Sequence, residues 1–196
     1  SPTLPVVTFQ LFTSQVYEEF IQLLEKIMPA QAVTLPRGMD TAIKTRGVKG
    51  LVGDIREIFK SQPLIAEKML EELGQSETLS ADAKRYRALK SLIKMYGGGN
   101  SRYINYYGPP RTITTIPYDQ ALQIREGKVE DQQIDLKGKA VFVGLSEKLL
   151  ADRKDSFYTV YSQAGGIFIS GVEIAATAFA NILEDSPVKP IRLHVY

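Results

Sequence analysis

Asp135-Leu-Lys-Gly-Lys-Ala-Val-Phe-Val-Gly-Leu-Ser146 reads as a turn, a short apolar strand from Ala140 to Val143, and a glycine at the strand's exit. A strand apolar on both faces requires cover on both faces, which predicts an inner strand of an α/β sheet. Such folds bind ligands beyond the carboxyl ends of their strands, so the loop from Leu145 to Tyr161 is the expected contact region. That loop is poor in catalytic side chains. The stretch therefore speaks for architecture more than for activity.

Upstream the pattern is helical. Phe9, Phe12, Val16, Phe20, Leu23, Leu24 and Ile27 recur at three- and four-residue spacings. This predicts one amphipathic helix over 8–28, opened near Thr8 and closed before Pro29. Residues 29–53 read as irregular, punctuated by Pro29, Pro36, Gly38, Gly47, Gly50 and Gly53. A second helix is expected from Leu51 to Lys60. A third is expected to follow, with Ser61 or Gln62 as its cap, Pro63 at its first helical position and Gly74 just past its end. A fourth is expected to run from Ser80, as N-cap, to a stop at Gly97. On it Asp82 falls in the first turn, and Tyr86, Leu89, Leu92, Ile93 and Tyr96 gather on one arc.

Beyond Gly97-Gly-Gly-Asn100 the character changes. Tyr103 to Tyr107, Thr112 to Ile116 and Ala140 to Val143 read as strands, separated by Pro109-Pro110 and Pro117. Tyr118 to Glu126 reads as a short helix. Gly171 to Glu184 reads as a strong one, with Ser170 as cap and Ile174, Ala178, Ile182 and Leu183 facing inward. Residues 191–196 alternate weakly as a strand. The expected fold is α/β in the sense of mixed α+β: a helical N-terminal half packed on a small sheet, with a long C-terminal helix. Residues 1–196 are expected to form a single domain piece, mainly helical over 1–97 and α/β over 98–196.

The totals exclude several function classes. The chain has 196 residues, 44% hydrophobic and 23% charged, an ordinary globular composition able to bury a core. A net charge of +2 gives no general reason to expect a nucleic-acid partner. With Cys 0, disulfides, thiolate catalysis and cysteine-ligated metals are excluded, although the compartment is not fixed. No apolar run approaches the roughly 18 residues of a membrane span, and no signal peptide opens the chain. The start at Ser1-Pro2, without Met, favours a piece cut from a longer protein.

The only histidine is His194, so a Ser-His-Asp triad or a histidine zinc site is not expected. Asp152, Asp155 and Glu173 are the carboxylates left for acid/base or metal work, and loop carboxylates are mostly solvated turn formers. Gly47-Val-Lys-Gly50-Leu-Val-Gly53 lacks the Lys-Ser/Thr ending of a phosphate-binding loop and reads as a connector. From Ala83 to Tyr118 there is no acidic residue, while Lys84, Arg85, Arg87, Lys90, Lys94, Arg102 and Arg111 all fall there. The plain reading is a solvated face partly balanced by Glu67, Glu71, Glu72 and Glu77. The sharper one is a docking surface for anionic headgroups or an acidic partner. Tyr103, Tyr106, Tyr107, Tyr118, Tyr158 and Tyr161 are expected mostly as core or sheet cover.

Three segments in order resemble the second half of the type-two CHASE domain, an extracellular sensing module attached to cyclases and histidine kinases. They are Arg102-Tyr-Ile-Asn-Tyr-Tyr-Gly-Pro-Pro110, Leu136-Lys-Gly-Lys-Ala-Val-Phe-Val-Gly144 and Gly171-Val-Glu-Ile-Ala-Ala-Thr-Ala-Phe-Ala-Asn-Ile-Leu183. Asp152, in Leu150-Ala-Asp-Arg153, matches the family's aspartate after its Val-Gly strand. The resemblance covers roughly residues 102 to 190 and is poor between 13 and 96. Ala175, Ala176 and Thr177 stand where the family commonly has His followed by Ala-Asn, so any role of that histidine is absent. The family's opening part is also missing, which favours dimerisation or exposed apolar patches.

The resemblance implies an extracytoplasmic signal-sensing domain of a transmembrane receptor, at the cell membrane, controlling an attached adenylate or guanylate cyclase or a kinase. The domain itself is then no enzyme, with no catalytic residues, metal or cofactor. Asn105, Tyr107, Asp152 and Arg153 are the expected ligand contacts. The expected partners are a small-molecule or protein signal, the membrane through flanking transmembrane segments, and a second copy in a homodimer, with no nucleic acid. Two alternatives stand beside this reading. One is a soluble α/β hydrolase or transferase using Asp152 and Glu173; the other is a purely structural dimerisation module.

Overall fold

Apolar spacing of three and four residues builds most of the chain into helices. The computed structural model describes residues 1–99, 101–125, 136–144, 156–162, 168–186 and 188. The fold is mixed α+β with a helical majority. It divides into two compact units, Ser1–Asn105 with Ala178–Tyr196, and Tyr106–Thr177.

The first unit is helical. It contains α1 (Leu4–Phe12), α2 (Tyr17–Ile27), α3 (Pro29–Ala32), α4 (Met39–Ser61), α5 (Ile65–Gln75), α6 (Glu77–Ser80) and α7 (Ala83–Gly97). The single helix expected over 8–28 is two, broken at Thr13. There the buried hydroxyl donates to the Phe9 carbonyl at 2.8 Å, sharing that acceptor with the Thr13 N–H at 3.0 Å, and a 3₁₀ turn, Ser14–Val16, follows. The segment expected to be irregular is largely helical. α4 runs through the glycine run read as a connector and breaks only at Gly47, whose φ of 64° and ψ of 158° are not helical.

Two caps differ from expectation. α5 begins at Ile65 with Leu64 at its N-cap, and Gly74 lies inside it. Asp82, rather than Ser80, caps α7: its Oδ1 accepts the backbone N–H groups of Lys84 at 3.0 Å and Arg85 at 3.1 Å. Ser80 instead ends α6, which is capped by Ser76.

The core of this unit holds Phe9, Tyr17, Phe20, Leu24, Leu51, Ile55, Met69, Leu73, Leu89, Leu92 and Ile93, all fully buried. Phe20, Phe59 and Tyr96 bring their rings together with centroids 5.6 to 6.1 Å apart. Tyr96 donates to Gln10 Oε1 at 2.5 Å, and burial pushes its hydroxyl far above the ordinary tyrosine range.

The second unit contains α8 (Tyr118–Arg125) and a two-stranded antiparallel sheet, β1 (Ser156–Phe157) with β2 (Ile169–Ser170), in which Ser156 faces Ser170 and Phe157 faces Ile169. The sheet is thus formed elsewhere than in the three expected runs. Tyr103 makes only an isolated bridge to Val188, within the first unit, and neither 112–116 nor 140–143 forms a strand among the described residues. Val141 and Val143 are 57% and 80% exposed while Ala140 and Phe142 are half-buried, so one face of this segment is open and the inner strand is not realised. Tyr103, Tyr107, Tyr118, Tyr158 and Tyr161 are exposed rather than core.

The last helix, α9 (Gly171–Glu184), has its expected bounds and continues directly from β2. Its first seven residues belong to the second unit and the rest to the first.

Candidate functional site

Two of the three sequence segments that stood out meet the third, which is α9. In the second unit, Gly144 lies against Val172 so closely that a Cβ on it would fall 2.7 Å from the Val172 Cβ. Only glycine lets the end of the 140–144 segment approach the first turn of the helix. On the next residue, Glu173 Oε1 accepts the backbone N–H of Arg111 at 2.5 Å. Arg111 has a φ of 71°, in the left-handed region, as the third residue of a turn closed by Thr112, whose N–H and hydroxyl both donate to the Pro109 carbonyl at 3.2 and 2.6 Å. The Gly108-Pro109-Pro110 sequence thus produces the turn that aims a backbone donor at Glu173. Burial raises the Glu173 carboxyl above its ordinary value, and the Arg111 hydrogen bond and charge oppose that.

In the first unit, the second half of α9 is held by side chains. Asn181, nine-tenths buried, accepts the Asn105 N–H on Oδ1 at 2.7 Å and donates from Nδ2 to the Asn105 carbonyl at 3.0 Å. One amide side chain satisfies both backbone groups of a single residue, as a neighbouring strand would. Phe179 meets the rings of Phe9 and Phe12 edge-on, at 6.0 and 5.4 Å.

The helix then ends in a Schellman motif. Asp185 adopts a φ of 53°, its N–H donates to the Ile182 carbonyl at 3.3 Å, and the Ser186 N–H reaches the Asn181 carbonyl at 3.0 Å. Ser91 of α7 donates its hydroxyl to the Leu183 carbonyl at 3.1 Å, and Lys94 pairs with Asp185. Arg102 closes the end of α7, donating to the carbonyls of Lys94 at 2.5 Å and Met95 at 3.3 Å. Burial pulls its guanidinium below the ordinary value; Asp185 works against that and Arg56 adds to it.

Of the expected ligand contacts, Asn105 is this latch residue and Tyr107 is exposed two positions on. Asp152 and Arg153 lie outside the described residues. Glu173, weighed as a catalytic carboxylate, anchors a turn. Ser170, expected to cap α9, belongs to β2, and among the described residues its buried hydroxyl has no hydrogen-bond partner. Asn181 was not singled out by its pattern. Its signal is a carboxamide among Phe179, Ala180, Ile182 and Leu183, where a polar residue inside needs partners. The faces differ accordingly: Thr177, Phe179 and Asn181 are the most buried residues of α9, while Ile174, Ala178, Ile182 and Leu183 are half-buried.

A family profile described as the CHASE2 domain matches residues 11–195. The chain belongs to the CHASE2 family. The match includes the helical segment 13–96, which the motifs alone left out. No curated protein and no solved structure matched the chain. CHASE2 domains are sensory rather than catalytic, and form extracellular parts of membrane receptors. Among the described residues no helix is long and apolar enough to cross a membrane, and no group of three or more His, Cys, Asp or Glu is placed to hold a metal ion.

Proposed function

We propose that this CHASE2 domain reads a signal outside the cytoplasm for a transmembrane receptor and passes it on through α9. The observation that carries this reading is that α9 is fastened by different groups in its first turn and in its second half. Gly144 and the Arg111 N–H meet its first turn, and Asn105, Ser91 and Lys94 hold its second half. A helix fastened at so many points moves only when several bonds exchange together, which favours two discrete positions over continuous drift. A signal shifts that equilibrium by binding the two arrangements with different affinity.

In this reading the signal is a small molecule or a protein, and Tyr107, Asp152 and Arg153 are its contacts. The receptor reaches the membrane through segments flanking the domain, a second copy completes a homodimer, and the output is a cyclase or a kinase. The test is receptor output in the full-length protein with Asp152→Ala, alongside thermal unfolding of the domain. Altered output with unchanged unfolding supports the contact; unchanged output removes Asp152 from it.

A further inference from the structure

Within the acid-free stretch from Ala83 to Tyr118, the six cations from Lys84 to Arg102 separate in the structure into two groups. Arg85 pairs with Glu19 and donates to the Gln15 carbonyl at 3.2 Å, Lys94 pairs with Asp185, and Arg102 caps α7. These three belong to the fold. Lys84, Arg87 and Lys90 do not: among the described residues, none has a carboxylate within 4.0 Å. Lys84 and Arg87 are exposed and Lys90 half-exposed, and their three-residue spacing sets them along one arc of α7. The glutamates of α5 that could have balanced them are not in reach, and Glu72 is taken by Lys26 at 3.3 Å.

The fold gives this row no ion pair, although Asp82 caps the helix start beside Lys84. Lys84 sits in the first turn of α7, where the positive end of the helix dipole disfavours a cation, and that turn contains no acidic residue. Arg87 has a like charge three residues away on either side, a pattern that weakens a helix. A row of unpaired cations held against both effects is explained by an anionic partner outside the chain. The row spans about 9 Å on a convex helix face. Long flexible side chains on such a face answer a diffuse sheet of charge rather than a shaped ligand.

We propose that Lys84, Arg87 and Lys90 form a contact face for an anionic lipid surface. The surface is identified by charge complementarity, and a domain of a membrane-receptor family has one available. Each Lys or Arg near such a surface multiplies binding by roughly five, and the attraction fades within a screening length. The inference is independent of α9 and of the signal it carries.

The test is co-sedimentation of the chain with vesicles of equal parts phosphatidylglycerol and phosphatidylcholine, against pure phosphatidylcholine. Binding is expected to the anionic vesicles alone and to disappear between ~10 mM and ~1 M salt, as the screening length falls from ~30 to ~3 Å. The combined Lys84→Gln, Arg87→Gln, Lys90→Gln variant is expected to bind about a hundredfold more weakly. It should unfold at the same temperature or slightly higher, because like-charge repulsion is relieved. The swap Lys84→Arg, Arg87→Lys, Lys90→Arg should keep the binding. Equal binding by the glutamine variant, or equal binding to neutral vesicles, overturns the proposal. Displacement by millimolar inorganic phosphate would overturn it in favour of a local phosphate site. Tighter binding to a polyglutamate peptide than to the vesicles would overturn it in favour of an acidic protein.

Discussion

Asn181 holds Asn105 by both of its backbone groups, accepting the N–H at 2.7 Å and donating to the carbonyl at 3.0 Å. These two bonds tie the second half of α9 to the end of the segment that begins at Arg102. Asn181→Ala leaves two backbone groups unpartnered in a half-buried place. It is expected to cost about 1–3 kcal/mol, read by urea denaturation. Hydrogen exchange at the Asn105 amide should accelerate in the same variant, because its acceptor is gone.

Asp185 ends α9 in a conformation that glycine adopts freely, and its carboxylate offsets the cost by pairing with Lys94. Asp185→Gly loses the ion pair but relieves the backbone, and should stay within ~0.5 kcal/mol of the parent chain. Asp185→Ala loses the pair without relieving the backbone, and should cost about 0.5–1 kcal/mol. Thermal unfolding of the two variants side by side checks the difference.

Glu173 gives the domain an acid-side pH dependence of defined sign. Its carboxyl binds a proton more tightly folded than unfolded, chiefly because burial disfavours the carboxylate. Its contribution is therefore most favourable below the unfolded glutamate pKa, falls as pH rises through the folded value, and is flat beyond. Glu173→Gln removes that downward slope and keeps an oxygen to accept the Arg111 N–H. Stability measured from pH ~3 to ~7 should show the slope flattened in the variant, across the window starting at the unfolded pKa of about 4.3.

The elements with one clean periodic face were legible in the sequence. The apolar arc of α7 and the bounds of α9 follow from the side-chain pattern, although the buried face of α9 does not. The breaks were less so. Thr13 ends α1 through its hydroxyl, and Ser80 and Asp82 are both good caps two positions apart, so tertiary packing chooses between them. The strand reading of 140–143 failed because β-branched composition reports a fit to a pleated surface, and says nothing about whether a partner strand lies beside it. At the site, the motif segments were found but their bonds were not. The bonds run from side chains to backbone, between Asn181 and Asn105 and between Glu173 and Arg111, and a backbone group has no letter in the sequence.

If the domain signals through α9 as proposed, output of the full-length protein with and without signal is the most direct probe of it. Asn181→Ala should be compared with a core variant on another helix whose loss overlaps its own, such as Ile55→Val of α4 at about 0.5–1.5 kcal/mol. Transmission through α9 predicts that Asn181→Ala shifts the output in the absence of signal and blunts the response, while Ile55→Val leaves both near normal. Identical output from the two variants, tracking stability alone, would contradict it.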